Sequence, residues 1–330
     1  MAEDGKAQGS RQEEMMYGGQ AVMEGVMMRG RYIAAIAVRN PDGVIVVREE
    51  PVSGMLYRGR IAKLPFVRGV TGLWDALVLG MRSLLWSADV AMEEEEDIDV
   101  SFSGAFGVGT VIVSLAIMIG FFFMLPAAIS DVLETWLNVE SGVLTNFIEA
   151  VIRLALLIGY IAVVGQMEDI KRVFAYHGAE HKTINAYEAG AALSPDGIAP
   201  FSTRHPRCGT GFLLIVAFIS FLVFVVLGRP ENIFLLMLSR VLLVPVIAGI
   251  AYEVIRFTAR NLDNPVIATV AAPGLALQRL TTREPSPEML EVASVALKRV
   301  IAAEEAQESI PERREERIER PEQPEPAEAA

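Results

Sequence analysis

The chain carries a single cysteine in 330 residues, so an intrachain disulfide framework is excluded. Histidine is almost as scarce, with three residues, and aromatics make up only 8%. A basic surplus is missing too. The formal net charge of −12 comes from two stretches, the acids from Glu93 to Asp99 and the Glu-rich tail from Glu304 to Glu328. The text between them is close to neutral, which excludes a basic face for nucleic acid. No secretory leader core opens the chain: Met1 to Glu14 is polar, and the N-terminus is expected to stay in the cytoplasm.

What is plentiful is apolar. Hydrophobic residues make up 52% and the mean hydropathy is +0.38, values that point to an integral membrane protein. Four segments reach the roughly 20 residues that a bilayer core requires: Gly104 to Ile129, Thr145 to Gly165, Thr210 to Gly228 and Ile233 to Ile255. The loop from Asp131 to Ser141 has no Lys or Arg, whereas the stretch after Gln166 has Lys171, Arg172, Lys182, Arg204 and Arg207. The positive-inside rule then puts both termini and this stretch in the cytoplasm, on an inner membrane crossed four times.

Charges inside the spans need partners. Glu149 and Arg153 lie one turn apart in the second span, and Arg240 enters the fourth at similar depth, which predicts a buried ion pair or triad. A structural role or a place on a substrate or proton path fits such a network. Phe66 to Val90 has a helical apolar stripe interrupted by Arg68, Asp75 and Arg82, so it is read as a helix lying in the headgroup layer.

The rest of the chain divides by composition. Residues 1–16 and the acidic tail 304–330 read as disordered. Residues 17–103 read as a cytoplasmic β-hairpin module with the interfacial helix and an acidic spacer. Its strands are Ile33 to Arg39 and Val44 to Arg48, joined by a turn at Asn40-Pro41-Asp42-Gly43 and apolar on both faces. The four-span domain covers 104–265 and includes a cytoplasmic segment, 166–209. Residues 266–303 form a re-entrant or surface segment followed by an amphipathic helix that starts at Ser286-Pro287. The fold class is therefore mainly α and integral to the membrane.

All three histidines and the cysteine fall between Tyr176 and Thr210. The string His177-Gly178-Ala179-Glu180-His181-Lys182 reads as helix. At about 100° per residue, His181 and Glu188 lie about 40° and 20° round from His177, with Glu180 flanking them. Two imidazoles one turn apart with a carboxylate between them suit a divalent metal; in the order His-x-x-Glu-His, Glu180 is the expected general base. Downstream, the proline-stiffened Thr203-Arg204-His205-Pro206-Arg207-Cys208 adds a third imidazole and the thiol.

A ligand set of His177, His181, His205 and Cys208 mixes nitrogen with sulfur and favours Zn2+ or another divalent transition metal. If all four bind, the site is closed and structural. If three bind, a position stays open for water, Arg204 or Arg207 serves an anionic oxygen, and Glu188 can replace Cys208. The ordinary alternative is a set of packed histidines and a small buried thiol. Glu24, inside the glycine-punctuated string from Gly18 to Gly30, is a further candidate should the hairpin fold back onto the site. Met15, Met16, Met23, Met27 and Met28 could be soft copper(I) ligands, but gap-filling in a core fits them better.

Three blocks, Gly18-Gly19-Gln20-Ala21-Val22-Met23-Glu24-Gly25-Val26-Met27-Met28-Arg29-Gly30, His177-Gly178-Ala179-Glu180-His181-Lys182-Thr183 and His205-Pro206-Arg207-Cys208-Gly209-Thr210, resemble the YqhQ family of bacterial membrane proteins. So does Leu277-Gln278-Arg279-Leu280-Thr281-Thr282-Arg283-Glu284-Pro285. That family is described as a domain of unknown function and as a predicted metal-dependent enzyme, so the resemblance implies a membrane location and a metal. From the residues themselves, the expected activity is metal-dependent hydrolysis of a peptide or ester. The rival is a non-enzymatic assembly or transport factor with a structural metal. The partner implied is the lipid bilayer; nothing points to nucleic acid, and no stretch specifies a protein partner or a homo-oligomer.

Overall fold

A computed structural model describes residues 17–52, 64, 66–92, 105–138, 141–228, 230, 232–306 and 313–318. Four strands come first: β1 (Gly18–Val22), β2 (Gly25–Arg29), β3 (Ile33–Arg39) and β4 (Ile45–Pro51). Each pairs antiparallel with its neighbour. The turn between β3 and β4 forms as expected. Gly43 N–H donates to Asn40 O at 3.0 Å, and Gly43 takes the left-handed φ of 83° that its lack of a side chain permits.

The hairpin module proves larger than its sequence suggested. A fifth strand, Arg314–Ile318, adds to the far edge of β4 and makes a sheet in the order β1-β2-β3-β4-β5. This corrects the reading of 304–330 as wholly disordered. Arg299 ties that strand down by its ion pair with Glu316, and Arg313, just before it, bonds Glu50 at 2.6 Å. The tail from 319 and the start up to residue 16 lie outside the described residues, as do the acidic spacer at 93–99, Met15 and Met16.

The period of two along β2, β3 and β4 sends alternate side chains to opposite faces. Val26, Met28, Ile33, Ala35, Ala37 and Val47 face one side; Met27, Ala34, Ile36, Val38 and Val46 face the other. Both faces are covered. Helix α1 (Val67–Ala91) lays Leu79, Trp86 and Val90 on the second face. Its other half packs on a later helix, where Arg68 bonds the carboxylate of Glu253 at 2.5 and 2.8 Å, while Trp74 is 70% exposed. Met27 and Met28 are core residues, as the gap-filling reading expects.

The apolar region begins with α2 (Ala105–Ile119), a π-turn (Gly120–Met124) and α3 (Leu125–Leu137). It continues with α4 (Gly142–Val164). Helix α5 (Glu168–Glu188) follows after three residues, and the single-turn α6 (Pro195–Ile198) after that. Next come α7 (Gly209–Leu227), α8 (Ile233–Leu242) and α9 (Val244–Arg260). Three helices, Ile112–Leu137, Gly142–Val164 and Gly209–Leu227, are long and apolar enough to cross a membrane. The pair α8 and α9 makes a fourth if its 41° bend is taken within one span. Pro245, in the first turn of α9, explains the break, since it cannot donate to the carbonyl one turn back.

The charged triad inside this bundle forms. Glu149 Oε1 accepts from Arg153 Nη2 at 2.6 Å and from Arg240 Nε at 2.9 Å, and Glu149 Oε2 accepts from Arg240 Nη2 at 2.8 Å. Arg240 also bonds Asn146 Oδ1 and stacks 3.7 Å from the centre of the Phe224 ring. Arg153 Nε donates to Phe122 O at 3.0 Å. That carbonyl is available because the residue four positions on is Pro126, which has no N–H, and the π-turn shifts the ladder around it.

Helix α10 (Pro265–Thr281) crosses α7 closely enough that a Cβ on Gly274 would lie 3.4 Å from the Gly211 Cα. Helix α11 (Pro287–Ala306) starts at Ser286, whose hydroxyl accepts from Met289 N–H, and buries Leu290, Ala293, Leu297 and Val300 against β2 and β3. Burying an aliphatic side chain of that size stabilises by about 1.5–3 kcal/mol. This stripe, next to α5, therefore fixes the sheet against the helix that carries the histidines.

Candidate metal centre

Helix α5 begins after Met167 with no side-chain cap and has Glu168 and Asp169 in its first turn, where negative charge suits the helix dipole. It buries the face bearing Tyr176, Glu180 and His181. Helix α7 starts one residue after Cys208, which caps it: Thr210 N–H donates to the sulfur at 3.4 Å. The C-terminus of α10 reaches the same place, with Thr281 Oγ1 3.1 Å from Thr210 Oγ1.

Three side chains converge where these helices meet. A nitrogen of His177, a nitrogen of His181 and the Cys208 sulfur all lie within 4.8 Å of one another. His177 Nε2 is 3.2 Å from Cys208 Sγ, close to the edge of roughly 3.5 Å expected between ligands of a tetrahedral zinc. The other ring nitrogens are already engaged. His177 Nδ1 donates to Thr281 O at 2.8 Å and His181 Nδ1 to Thr203 O at 2.6 Å. A carbonyl oxygen only accepts, so the proton of each neutral ring sits on Nδ1 and Nε2 keeps its lone pair. Backbone carbonyls behind Nδ1 are the usual outer support of metal-ligating imidazoles. The donor set and its support therefore fit a divalent transition metal.

The carboxylate of Glu180 is next to both imidazoles, with Oε2 3.7 Å from His181 Nε2 and 3.9 Å from His177 Nε2. It is buried, and β1 lies against it: a Cβ on Gly19 would come within 2.7 Å of Glu180 Cγ. Glycine is needed there because the strand and the carboxylate occupy the space a side chain would fill.

The remaining expected residues are placed less simply. His205 is buried beside the cluster, its ring centre 5.7 Å from that of His181, but it does not join the three converging atoms. Its backbone is clamped by Gln278, which accepts from His205 N at 2.9 Å and donates to His205 O at 2.8 Å. Its Nε2 has no hydrogen-bond partner among the described residues, and the nearest carboxylate oxygen, Glu188 Oε2, is 3.7 Å away. Glu188 is not in the cluster either, because Arg207 holds it in direct contact. Burial pushes the Glu188 carboxyl up, but His205 and Arg207 outweigh it and leave it at about 2.

Arg207 is thus spent on Glu188, and Arg204 is exposed, lending its carbonyl to Asn185. Glu24 does not reach the cluster. It sits in the β1–β2 turn, not in a strand, and Arg172 takes its two oxygens at 2.5 Å each.

Several residues that matter here gave no sequence signal. The carbonyls of Thr281 and Thr203 are backbone groups on distant elements, and Gly19 acts by lacking a side chain. Gln278 and Lys182, which reaches Ala199 O at 2.6 Å, were at least within the unusual strings.

Residues 64–303 match the family described as "Protein of unknown function (DUF1385)". The chain is 32% identical over 302 residues to the uncharacterized protein YqhQ of Bacillus subtilis (strain 168), covering 88% of this chain and 94% of that one. No solved structure matches the chain. The chain belongs to the DUF1385 family, whose YqhQ-like members the sequence strings resembled.

Proposed function

We propose that this DUF1385 protein is a multi-pass inner-membrane protein that holds a divalent transition metal, zinc by preference, on His177, His181 and Cys208. We further propose that it uses the ion for hydrolysis of a peptide or ester at the cytoplasmic membrane surface. The membrane reading is supported by the apolar helices and by the contrast between the loop after α3, which has no Lys or Arg, and the five basic residues between Gln166 and Cys208. The observation that carries the catalytic reading is the placement of Glu180 beside both imidazoles with three ligand atoms converging next to it.

Three protein ligands leave a coordination position open, the pattern of catalytic zinc sites. A bound ion there supplies Lewis acidity and makes water nucleophilic at neutral pH. Glu180 takes the proton of the attacking water and passes it to the leaving amine or alcohol. The carbonyl carbon gains a bond to oxygen and loses its bond to the leaving group, so no other reactant is needed.

A purely structural staple is supported less well. The loop before Cys208 has protein hydrogen bonds of its own that hold it, from Lys182 to Ala199 O, Asn185 to Ser202 O at 2.8 Å, His181 to Thr203 O and the Gln278 clamp.

The test uses the full chain in detergent, loaded with zinc and offered a mixed library of blocked peptides and esters. Hydrolysis is expected, with Glu180→Gln keeping the metal but losing about 10²–10⁴ of the rate, and His177→Ala losing both. Undiminished hydrolysis by Glu180→Gln would remove the general base from the account. Absence of metal from the unaltered protein would remove the site.

A further inference from the structure

Strand β1 forms one edge of the sheet. In a two-residue hairpin the residues that close the turn exchange hydrogen bonds, and bonded and non-bonded pairs alternate from there. Val22 and Gly25 close this turn, so Gln20 and Gly18 are also bonded to β2, while Ala21 and Gly19 point their N–H and C=O groups away from it. The bond from Arg39 N–H to Glu24 O on the other side of β2 agrees with that phase. The outward groups of Gly19 and Ala21 have no backbone partner among the described residues. Gly18 and Gly19 are exposed, with no side chains to block approach along the edge.

The Glu180 side chain lies against this strand: a Cβ added at Gly19 would meet its Cγ at 2.7 Å and its Oε1 at 2.9 Å. We propose that β1 is a docking edge for an extended peptide, which adds to the sheet as a further strand and so delivers its backbone to Glu180 and the three ligand atoms. The proposal rests on the hydrolytic reading and names its substrate class: a polypeptide segment in extended form. Alternating donors and acceptors match a peptide main chain, whereas an acyl chain or an isolated ester offers nothing to bond with them. The step is amide hydrolysis: water oxygen bonds to the carbonyl carbon, the C–N bond breaks, and Glu180 carries the water proton to the departing amine. Gly19 is a positioning residue in this scheme, since a side chain there would strike both the carboxylate and Met27 O.

Hydrogen exchange on full-length, zinc-loaded Glu180→Gln protein, with and without a short randomised peptide mixture, tests this. Expected is slowed exchange at Gly19 and Ala21, with Gly18, Gln20 and Val22 unchanged because they are already bonded to β2. Proline is tolerated where an edge N–H points outward, so Ala21→Pro should lower peptide retention about tenfold, the loss of one backbone bond, while Ala21→Ser retains it. Should the proline form not fold, the exchange pattern of the Glu180→Gln chain decides alone. Bound zinc with no protection at Gly19 and Ala21 overturns the docking edge and leaves the metal reading standing; failure to hold zinc overturns both.

Discussion

Two buried polar clusters in this molecule differ in how they are completed. In the helix bundle, Glu149 receives Arg153 and Arg240, and the arginines find Ser220, Asn146 and the Phe122 carbonyl as well. At the junction of α5, α7 and α10, the outer nitrogens of His177 and His181 are bonded, while the inner atoms converge with the Cys208 sulfur within 4.8 Å of one another and the Glu180 carboxylate stands 3.9 and 3.7 Å from the two Nε2 atoms. The first cluster finishes itself from its own side chains and main chain. The second brings three ligand-type atoms together, and the proposed metal is what would complete it.

That contrast can be broken in order of expected effect. Removing the central carboxylate with Glu149→Gln leaves two buried guanidinium groups without their counter-charge and should destabilise by about 3–5 kcal/mol. Denaturation in detergent measures it, and metal content per folded chain should not change. An unaltered stability would mean that the network is not structural. Next, stripping the ion by chelation, or removing a ligand with His181→Ala, should lower stability by about 3 kcal/mol at metal concentrations near a hundred times Kd. Chelation should leave the Glu149 variant and the parent separated by the same amount, because the clusters share no residue.

Glu180→Gln should be milder, within about 1 kcal/mol of the parent in stability, while hydrolysis collapses. A large loss of stability would recast Glu180 as a structural group.

The smallest effect concerns Glu188. Its carboxyl is held at about 2 against an ordinary value of 4.5, so the contribution from Arg207 and His205 is present in full above pH 4.5 and disappears as pH falls toward 2. The side chain is 39% exposed, and solvent screening keeps the contribution under about 1 kcal/mol. The difference in melting temperature between parent and Glu188→Gln should therefore shrink through that window. A constant difference would mean that Glu188 does not feel Arg207.

The two clusters were also unequally legible in the sequence. The bundle network was readable because a charge within a long apolar helix is costly and its partners are limited to neighbours at similar height, which singled out Glu149, Arg153 and Arg240. The histidine cluster was readable in part. Helical phase correctly brought His177 and His181 together, and scarcity pointed to Cys208. Glu188 shared their face by phase but was captured by Arg207, and His205 was held aside by Gln278 from α10. Neither competition has a period or a spacing that sequence displays.

The sheet was the least legible element. The strings forming β1 and β2 are broken by glycines, and β5 reads as charged tail until β4 offers it an edge. Both apolar faces of the β3–β4 hairpin did announce that it would be covered on each side, as α11 and α1 do.

Whether one ion joins α5 to α7 can be measured cleanly, because Cys208 is the only cysteine. Full-length protein, purified in detergent and freed of metal, is titrated with cobalt(II) while absorbance is followed. A sulfur-to-cobalt charge-transfer band saturating at about one ion per chain, absent in Cys208→Ser, is the result expected, since no other thiol exists in the chain. Tight cobalt binding with no such band, or no binding at all, would contradict it.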